Sequence, residues 1–214
     1  MSVKRSVVTK PGAEGHGGGH RQRQAEETRL QIAQAARSLF AERGYAATTI
    51  AAIAEEADIP APTIYSAFGS KAKILEKITR IWMTDAQTVS IAEASLAEPD
   101  PAQQLRMFAE LNRRQLEVGS DVVAIYQEAA RSDPQMAAVL EGVLASREGE
   151  IRKLIRAIKQ HLKAGLSIDA ALDACLALSV PEIYRTLMER DWTPRRYQTW
   201  LGDLLVDQLL AARD

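Results

Sequence analysis

Residues 44–74 constrain the fold more than any other part of the sequence. They hold two short runs of apolar residues at helical spacing, separated by a tight break and bounded by residues that begin and end helices. Thr48 or Thr49 can cap the first run, and Pro60 and Pro62 are tolerated only at the start of the second. Two short helices joined by such a turn form a helix-turn-helix, so DNA is the first partner to consider.

The helix before this motif is also bounded by its own sequence. Glu26 and Glu27 favour a helix N-terminus, and apolar residues recur at helical spacing as far as Phe40. Gly44 predicts an end near Arg43, because glycine readily adopts the left-handed conformation that follows many helices.

The rest of the chain predicts further helices and shows no strand pattern. Ser70 can cap a long fourth helix that continues past Trp82. Beyond it, proline, glycine and capping residues mark the helix boundaries. These boundaries fall at residues 96–101, 119–121, 132–134, 163–167, 181 and 191–194. We therefore expect an all-α protein.

Charge is distributed unevenly along the 214 residues. Residues 1–81 hold 12 lysines and arginines against 8 aspartates and glutamates, a net charge of +4, whereas residues 82–214 hold 15 against 20, a net charge of −5. The positive part is the part that contains the helix-turn-helix, as contact with phosphates requires.

Composition also predicts where the protein works. The single cysteine, Cys175, allows no internal disulfide, and the sequence shows neither a signal peptide nor about 18 consecutive apolar residues. Hydrophobic residues make up 46% of the chain, enough for a proper core. We therefore expect a soluble cytoplasmic protein without a membrane partner.

Residues 1–24 are predicted to form a flexible basic tail. Half of residues 11–20 are glycine, so no element is expected there. His16 and His20 are four positions apart, a spacing that can bind a metal when both lie on a helix. Because no helix is expected there, we expect no metal site. Arg21 and Arg23 leave two interpretations open, an arm that enters the minor groove of DNA or a solvated leader.

The helix-turn-helix and its flanks resemble a known DNA-binding domain. The matching residues are the run Phe40-Ala41-Glu42-Arg43-Gly44-Tyr45, the pair Thr48-Thr49, the step Ile53-Ala54, and Thr63-Ile64-Tyr65 followed by Phe68 and Ser70-Lys71. Over residues 25–81 the chain resembles the TetR/AcrR family of one-component transcriptional regulators. Beyond residue 81 it resembles the family only in being helical and of suitable length.

The resemblance implies a two-domain protein. It places a helix-turn-helix DNA-binding domain at residues 25–70, a linking fourth helix from about residue 71, and a helical effector-binding and dimerisation domain at residues 82–214. Such a protein binds a palindromic double-stranded operator as a homodimer. In most cases of this kind it represses transcription until a small-molecule effector releases it, and activation is the alternative within the family.

The resemblance also assigns residues to DNA. At matching positions, Thr49, Tyr65 and Lys71 are expected on phosphates. The residues expected to face base edges are Ala61, Pro62, Thr63 and Ser66. Tyr65 has an alternative role as a core ring on the inner face of its helix.

The second domain receives two further sets of candidates. Met and aromatic residues at helical spacing are candidates for the effector pocket, although each is also a plausible core residue: Trp82, Met107, Phe108, Tyr126, Met136 and Tyr184. In the family the C-terminal helices of two subunits form the dimer interface, and the alternative is that they close the core of one subunit. The interface candidates are Leu172, Leu176, Trp200, Leu204 and Leu205.

The motif departs from the family at several positions. Ala51, Ser66 and Ala67 stand where a base-reading arginine or large aromatic or histidine side chains are common, so these residues offer no bidentate pair with a base. Asp58 replaces the usual turn glycine, and Pro60 replaces the usual Ser or Thr cap. We therefore expect the basic tail to supply part of the affinity for DNA.

Two other classes of protein compete with a regulator. A di-metal enzyme in a helical bundle needs Glu-x-x-His pairs, but the only histidine outside the tail is His161, and Ile158 stands three residues before it. The sequence also has no Gly-rich phosphate loop and no nucleophile elbow, so we expect no catalysis, cofactor or metal. A helical adaptor that binds protein through a vestigial helix-turn-helix remains open, and a salt-dependent DNA-binding assay separates it from a regulator.

Overall fold

The computed structural model describes residues 16–212, with side chains from residue 19 onward. Over that range it contains α-helices, one 3-10 helix and no β-strand, which confirms the all-α fold class. The helices are α1 (His16–Arg43), α2 (Ile50–Ala57), α3 (Ala61–Phe68), α4 (Lys71–Asp85), α5 (Thr88–Ala97), α6 (Pro101–Ser132), α7 (Pro134–Ala157), the 3-10 helix (Lys159–His161), α8 (Ile168–Leu178), α9 (Pro181–Met188) and α10 (Pro194–Leu209). No helix between residues 16 and 212 is long and apolar enough to cross a membrane.

Most of these helices begin at a residue whose side chain caps them. Six side-chain oxygens accept a hydrogen bond from a backbone N–H in the first turn of the helix that follows, which satisfies a donor that the helix leaves unpaired. The capping residues are Thr49, Ser70, Asp100, Asp133, Ser167 and Thr193.

The prediction of a flexible tail is wrong for residues 16–24, which form the first turns of α1. Glycine disfavours a helix, but Arg21 and Arg23 favour one, and extending an existing helix needs no new nucleus. The later turns of α1 anchor it, since Ile32 and Leu39 are buried. The glycines were expected to prevent a helix at His16 and His20 and so to exclude a metal site there. Because α1 begins at His16, that argument no longer applies. Residues 1–15 of the predicted tail lie outside the described residues.

The fourth helix passes Trp82 as predicted, but it ends at Asp85, and a separate helix that the sequence did not predict follows. Gln87 adopts the left-handed conformation between them (φ 55°). The sequence has no glycine or proline there to signal the break. A tertiary contact accompanies it, because Arg114 Nη1 on α6 donates to Gln87 Oε1 at 2.6 Å.

The predicted break at Gly119 is a kink, and α6 continues through it. Gly119 has non-helical backbone angles (φ −156°, ψ 27°) inside the helix. The indole of Trp82 lies directly against Gly119, and its Nε1 donates to the carbonyl of Gln115 at 2.8 Å. A carbonyl on the inner side of a kink thus has a partner outside its own helix.

The helix from Pro134 ends at Ala157, earlier than the predicted end near Lys163. The chain beyond it binds the end of α10: Lys163 N–H donates to the Leu209 carbonyl (2.9 Å), and Ala211 N–H donates to the His161 carbonyl (3.0 Å). These long-range bonds replace helical ones, which is why local periodicity overestimated the length of α7.

Two hydrophobic cores divide the molecule, and α6 belongs to both. One core joins α1–α4 to the C-terminal half of α6, where Val122, Ile125 and Tyr126 are buried, and to Met136 of α7. The other joins the N-terminal half of α6 to α7–α10. The kink at Gly119 lies between the two halves. Residues assigned by sequence to the second domain therefore pack with the DNA-binding part.

Candidate DNA-binding surface and effector region

Backbone and side-chain caps hold the helix-turn-helix. Thr49 Oγ1 accepts from Ala52 N–H at 3.1 Å, and Gln31 Nε2 on α1 donates to the Ala57 carbonyl at 2.7 Å. Asp58 takes the left-handed conformation (φ 51°), which aspartate tolerates better than most residues. Pro60 precedes α3 without a side-chain cap, as expected of a residue that replaces Ser or Thr.

The outer face of α3 is the surface that this motif presents. Ile64 is fully buried and fastens the helix to the core. Tyr65 is 57% exposed, so its alternative role as a core ring is wrong. Ala61 is only partly exposed and lies at the edge of the inner face. The other predicted base-facing residues are all exposed: Pro62, Thr63 and Ser66.

Lys71 does not direct its ammonium group freely outward. Its Nζ donates to the carbonyls of Tyr45 (2.7 Å) and Thr48 (2.8 Å), with a longer contact to Ala46 (3.5 Å). It also lies 4.5 Å from the centroid of the Tyr45 ring. Burial lowers the pKa of Lys71, because desolvation penalises its charge. The ammonium thus fastens the loop between α1 and α2 to α4, and a phosphate contact by Lys71 stays a prediction.

Arg21 and Arg23 are exposed on the first turns of α1 rather than on a flexible tail. Nearby, Lys77 of α4 forms an ion pair with Glu26 and lowers the pKa of that carboxyl. This pair links the N-terminal part of α1 to α4.

Two contacts that sequence reasoning missed connect α1 and the loop after it to α6. Arg37 binds both carboxylate oxygens of Asp121 (2.6 and 2.7 Å) and the Val118 carbonyl (2.7 Å), on either side of the Gly119 kink. Glu128 accepts from Tyr45 N–H at 2.6 Å. Only the charges of these residues are visible in the sequence, because the partners are more than 80 positions apart.

The six predicted effector residues do not form one pocket. Trp82, Tyr126 and Met136 belong to the core around the helix-turn-helix, whereas Phe108 and Tyr184 belong to the other core, and Met107 is partly buried on α6. Apart from Met107, these residues recur at helical spacing because they pack in the two hydrophobic cores, one on each side of the Gly119 kink. Tyr184 also lines a cavity of about 450 Å³ between α6 and α9.

A second, more open groove of about 540 Å³ lies between α6, α7 and α8. Arg147 lines it and connects it to a buried polar network. Arg147 Nη2 donates to Ser179 Oγ (2.6 Å), Asn112 Nδ2 donates to the Ser179 carbonyl (3.1 Å), and Tyr197 OH donates to Asn112 Oδ1 (2.6 Å). Cys175 lies in the same region, and burial raises the pKa of its thiol to about 12.

The predicted dimer residues fall into two groups. Leu172 and Leu205 are 2% and 0% exposed within one subunit, so the prediction that they meet a partner is wrong: their side chains fill the subunit's own core. Leu176, Trp200 and Leu204 are partly exposed and offer surface on α8 and α10.

The fold and the exposed α3 define a helix-turn-helix DNA-binding domain followed by a helical domain. The family model for bacterial regulatory proteins of the tetR family matches residues 32–78. Residues 32–78 therefore resemble a tetR-family DNA-binding domain.

A curated relative matches part of the chain, and solved structures share its fold. The chain is 46% identical over 74 residues to the HTH-type transcriptional regulator HbdR of Aromatoleum sp. (strain CIB), a match that covers 35% of this chain and 27% of HbdR. The chain thus spans about a quarter of the length of HbdR. The structure of NalD, the secondary repressor of a multidrug efflux pump in Pseudomonas aeruginosa, superposes with a TM-score of 0.72 over 89% of this chain and all of NalD, at 19% identity. A putative transcriptional regulator from Saccharomonospora viridis in complex with choline gives a TM-score of 0.68 over 87% of this chain and all of that one, at 21% identity.

Proposed function

We propose that the chain is a transcriptional repressor that binds a palindromic operator as a homodimer in the cytoplasm and is released by a small-molecule effector. The observation that carries this proposal is the exposed outer face of α3, a helix that the buried Ile64 holds against the core. An α-helix presented in this way fits the major groove of DNA. The tetR-family match over the same residues supports it.

In this proposal α3 enters the major groove. Pro62, Thr63 and Ser66 face base edges, and the exposed Tyr65 hydroxyl and Thr49 lie within reach of phosphates. Lys71 acts by holding the loop that positions Thr49, because its ammonium is already bound to backbone carbonyls.

Selection of binding sites from genomic DNA tests this proposal. We expect a palindrome with half-sites about one helical turn apart, bound with an affinity that falls as salt rises. Glutamate at both Thr63 and Ser66 is expected to abolish binding, because it sets two negative charges against the DNA. The matched control for each of the two single substitutions is Ser146→Glu, which also adds one negative charge, on an exposed position of α7. If the selection enriches no DNA sequence, and the binding to DNA does not change with salt, the result would favour the helical adaptor.

The N-terminal turns of α1 yield a separate prediction. Replacing both Arg21 and Arg23 with glutamine is expected to weaken operator binding and to reduce the slope of log affinity against log salt by ~0.9 for each lost phosphate contact. Arg190 and Arg195, exposed near α9 and α10, provide a control double variant with the same change in charge. Equal slopes for the two double variants would make Arg21 and Arg23 solvated residues without a role in binding.

The homodimer is proposed to form on α8 and α10. Leu176, Trp200 and Leu204 remain partly exposed there after each subunit has closed its own core. A two-fold operator needs two recognition helices held at a fixed distance, which a dimer of this kind supplies.

Coupling between effector and DNA is proposed to run through α6 together with α4. The two halves of α6 pack in different cores. Arg37 and Trp82 contact α6 beside its kink, and the Tyr45 N–H binds Glu128 in its C-terminal half. A shared helix transmits a shift only if the effector prefers one of two arrangements. A change of the kink would move α1 and α4, and with them α3.

A further inference from the structure

Arg147 is a partly buried cation without a carboxylate partner. It binds Ser179 Oγ and, at 3.3 Å, the Ser179 carbonyl, and no carboxylate between residues 19 and 212 lies within ion-pair distance of it. Burial lowers the pKa of Arg147, because desolvation penalises the charge. Arg37, also between helices, is instead neutralised by Asp121. The protein thus leaves the charge of Arg147 uncompensated.

Two nitrogens of the Arg147 guanidinium group have no hydrogen-bond partner among the described residues. Its Nε and Nη1 donate to no atom of the described residues, yet no buried side-chain nitrogen in that part of the chain lacks a partner. Neither atom is therefore fully enclosed, and Arg147 lines the groove between α6, α7 and α8. A guanidinium presents N–H donors in a planar fork that matches a carboxylate.

The walls of the groove are mainly apolar. Its two carboxylates do not neutralise Arg147: Glu148 is bound by Arg152 at 3.0 Å, and Glu141 is exposed. A volume of about 540 Å³ lies within the usual range for small-molecule sites. The apolar residues that line it are Ala130, Ala137, Leu140, Leu144, Ala145 and Leu176.

We propose that this groove is the effector site and that it takes an amphipathic carboxylate, whose anionic group binds Arg147 and whose apolar chain lies against Leu140 and Leu144. The inference rests on the proposed function, since it names the class of effector. A neutral apolar compound would desolvate Arg147 further without a partner, and a cationic one would meet a like charge.

The network behind Arg147 connects such a ligand to α6. The Ser179 carbonyl accepts from both Arg147 and Asn112, and Asn112 lies in the N-terminal half of α6, before the Gly119 kink. A carboxylate that draws the guanidinium toward the groove weakens its bonds to Ser179. Asn112 then binds the Ser179 carbonyl alone, and the N-terminal half of α6 is free to shift.

The test uses octanoate as the probe, with octanol and octylammonium as neutral and cationic controls of equal length. Calorimetric titration of the full chain is expected to show that octanoate binds more tightly than either control. Arg147→Met is expected to raise the Kd of octanoate about tenfold or more, the size of a lost charge-assisted hydrogen bond, with little change for octanol. Arg156→Met, exposed on the same helix, should leave the Kd unchanged.

A second variant guards against misfolding at Arg147. Leu144 is 55% exposed and lies one helical turn before Arg147, so Leu144→Glu places a carboxylate beside the guanidinium without disturbing the core. We expect it to block octanoate binding and to leave thermal unfolding nearly unchanged.

Several outcomes would overturn the proposal. Octanol or octylammonium could bind as tightly as octanoate, or Arg147→Met could bind octanoate like the parent chain. Dissociation of a dimer by Leu144→Glu, with no octanoate binding by the parent, would make the groove a subunit interface. Operator binding is measured separately: DNA binding without octanoate binding refutes the site alone, and octanoate binding without DNA binding refutes the regulator alone. If both stand, octanoate and operator must weaken each other by the same factor.

Discussion

Replacing Gly119 with alanine is expected to lower the free energy of unfolding by about 1–3 kcal/mol, the usual cost of overpacking. A Cβ built at Gly119 would lie 2.1 Å from both Cδ1 and Nε1 of Trp82. The indole is rigid, and its Nε1 is bound to the Gln115 carbonyl, so it cannot give way without losing that bond. The clash therefore spreads α4 from α6 at the kink. Urea unfolding followed by circular dichroism measures the effect.

Gly142 provides the control for this prediction. It lies exposed inside α7, and an added Cβ would meet nothing within 4 Å. Gly142→Ala is therefore expected to stabilise the protein by about 0.5–1 kcal/mol, because alanine favours a helix more than glycine does. In a Trp82→Ala background the cost of Gly119→Ala should largely disappear, since the two residues are in contact. Equal stabilisation by the two glycine substitutions would contradict a packed kink.

Replacing Lys71 with methionine is expected to lower the free energy of unfolding by about 1.5–3 kcal/mol and to weaken operator binding about tenfold. The substitution leaves the carbonyls of Tyr45 and Thr48 without the charged donor that now binds them. The loop that presents Thr49 then loosens. Because the ammonium is already occupied, we expect the salt dependence of operator binding to stay the same.

Lys73→Met is the matched control on the same helix. Lys73 is exposed and forms an ion pair with Glu76 (2.7 Å), of a kind worth only about 0.3–0.5 kcal/mol. Its loss should barely change stability. If Lys71→Met instead left stability unchanged and reduced the salt slope by ~0.9 per lost contact, Lys71 would bind phosphate directly, as the resemblance to the family implied.

Local chemistry explains why the helix-turn-helix could be predicted in detail. Thr49 caps α2, Gly44 takes the left-handed conformation after α1 (φ 83°), and the rings of Tyr45 and Phe40 lie 5.1 Å apart. Each of these features depends on residues a few positions apart, so a sequence pattern contains it.

The features that the sequence did not predict depend on residues far apart in the chain. Gln87 breaks a helix without glycine or proline, and a partner on α6 holds it. Arg147 looks like an ordinary residue on a helix, and only the arrangement of α6, α7 and α8 makes it a partly buried charge beside a groove. No local pattern marks either residue.

The sequence by itself determined the all-α class, the motif that presents α3, and most helix boundaries, because caps, prolines and apolar periodicity act over a few residues. The tertiary structure decided what those helices do together. It placed the two halves of α6 in different cores, turned Leu172 and Leu205 inward, and tied the Lys71 ammonium to the α1–α2 loop. Such outcomes depend on which distant surfaces meet, and periodicity shows that a helix has an apolar face without showing what covers it.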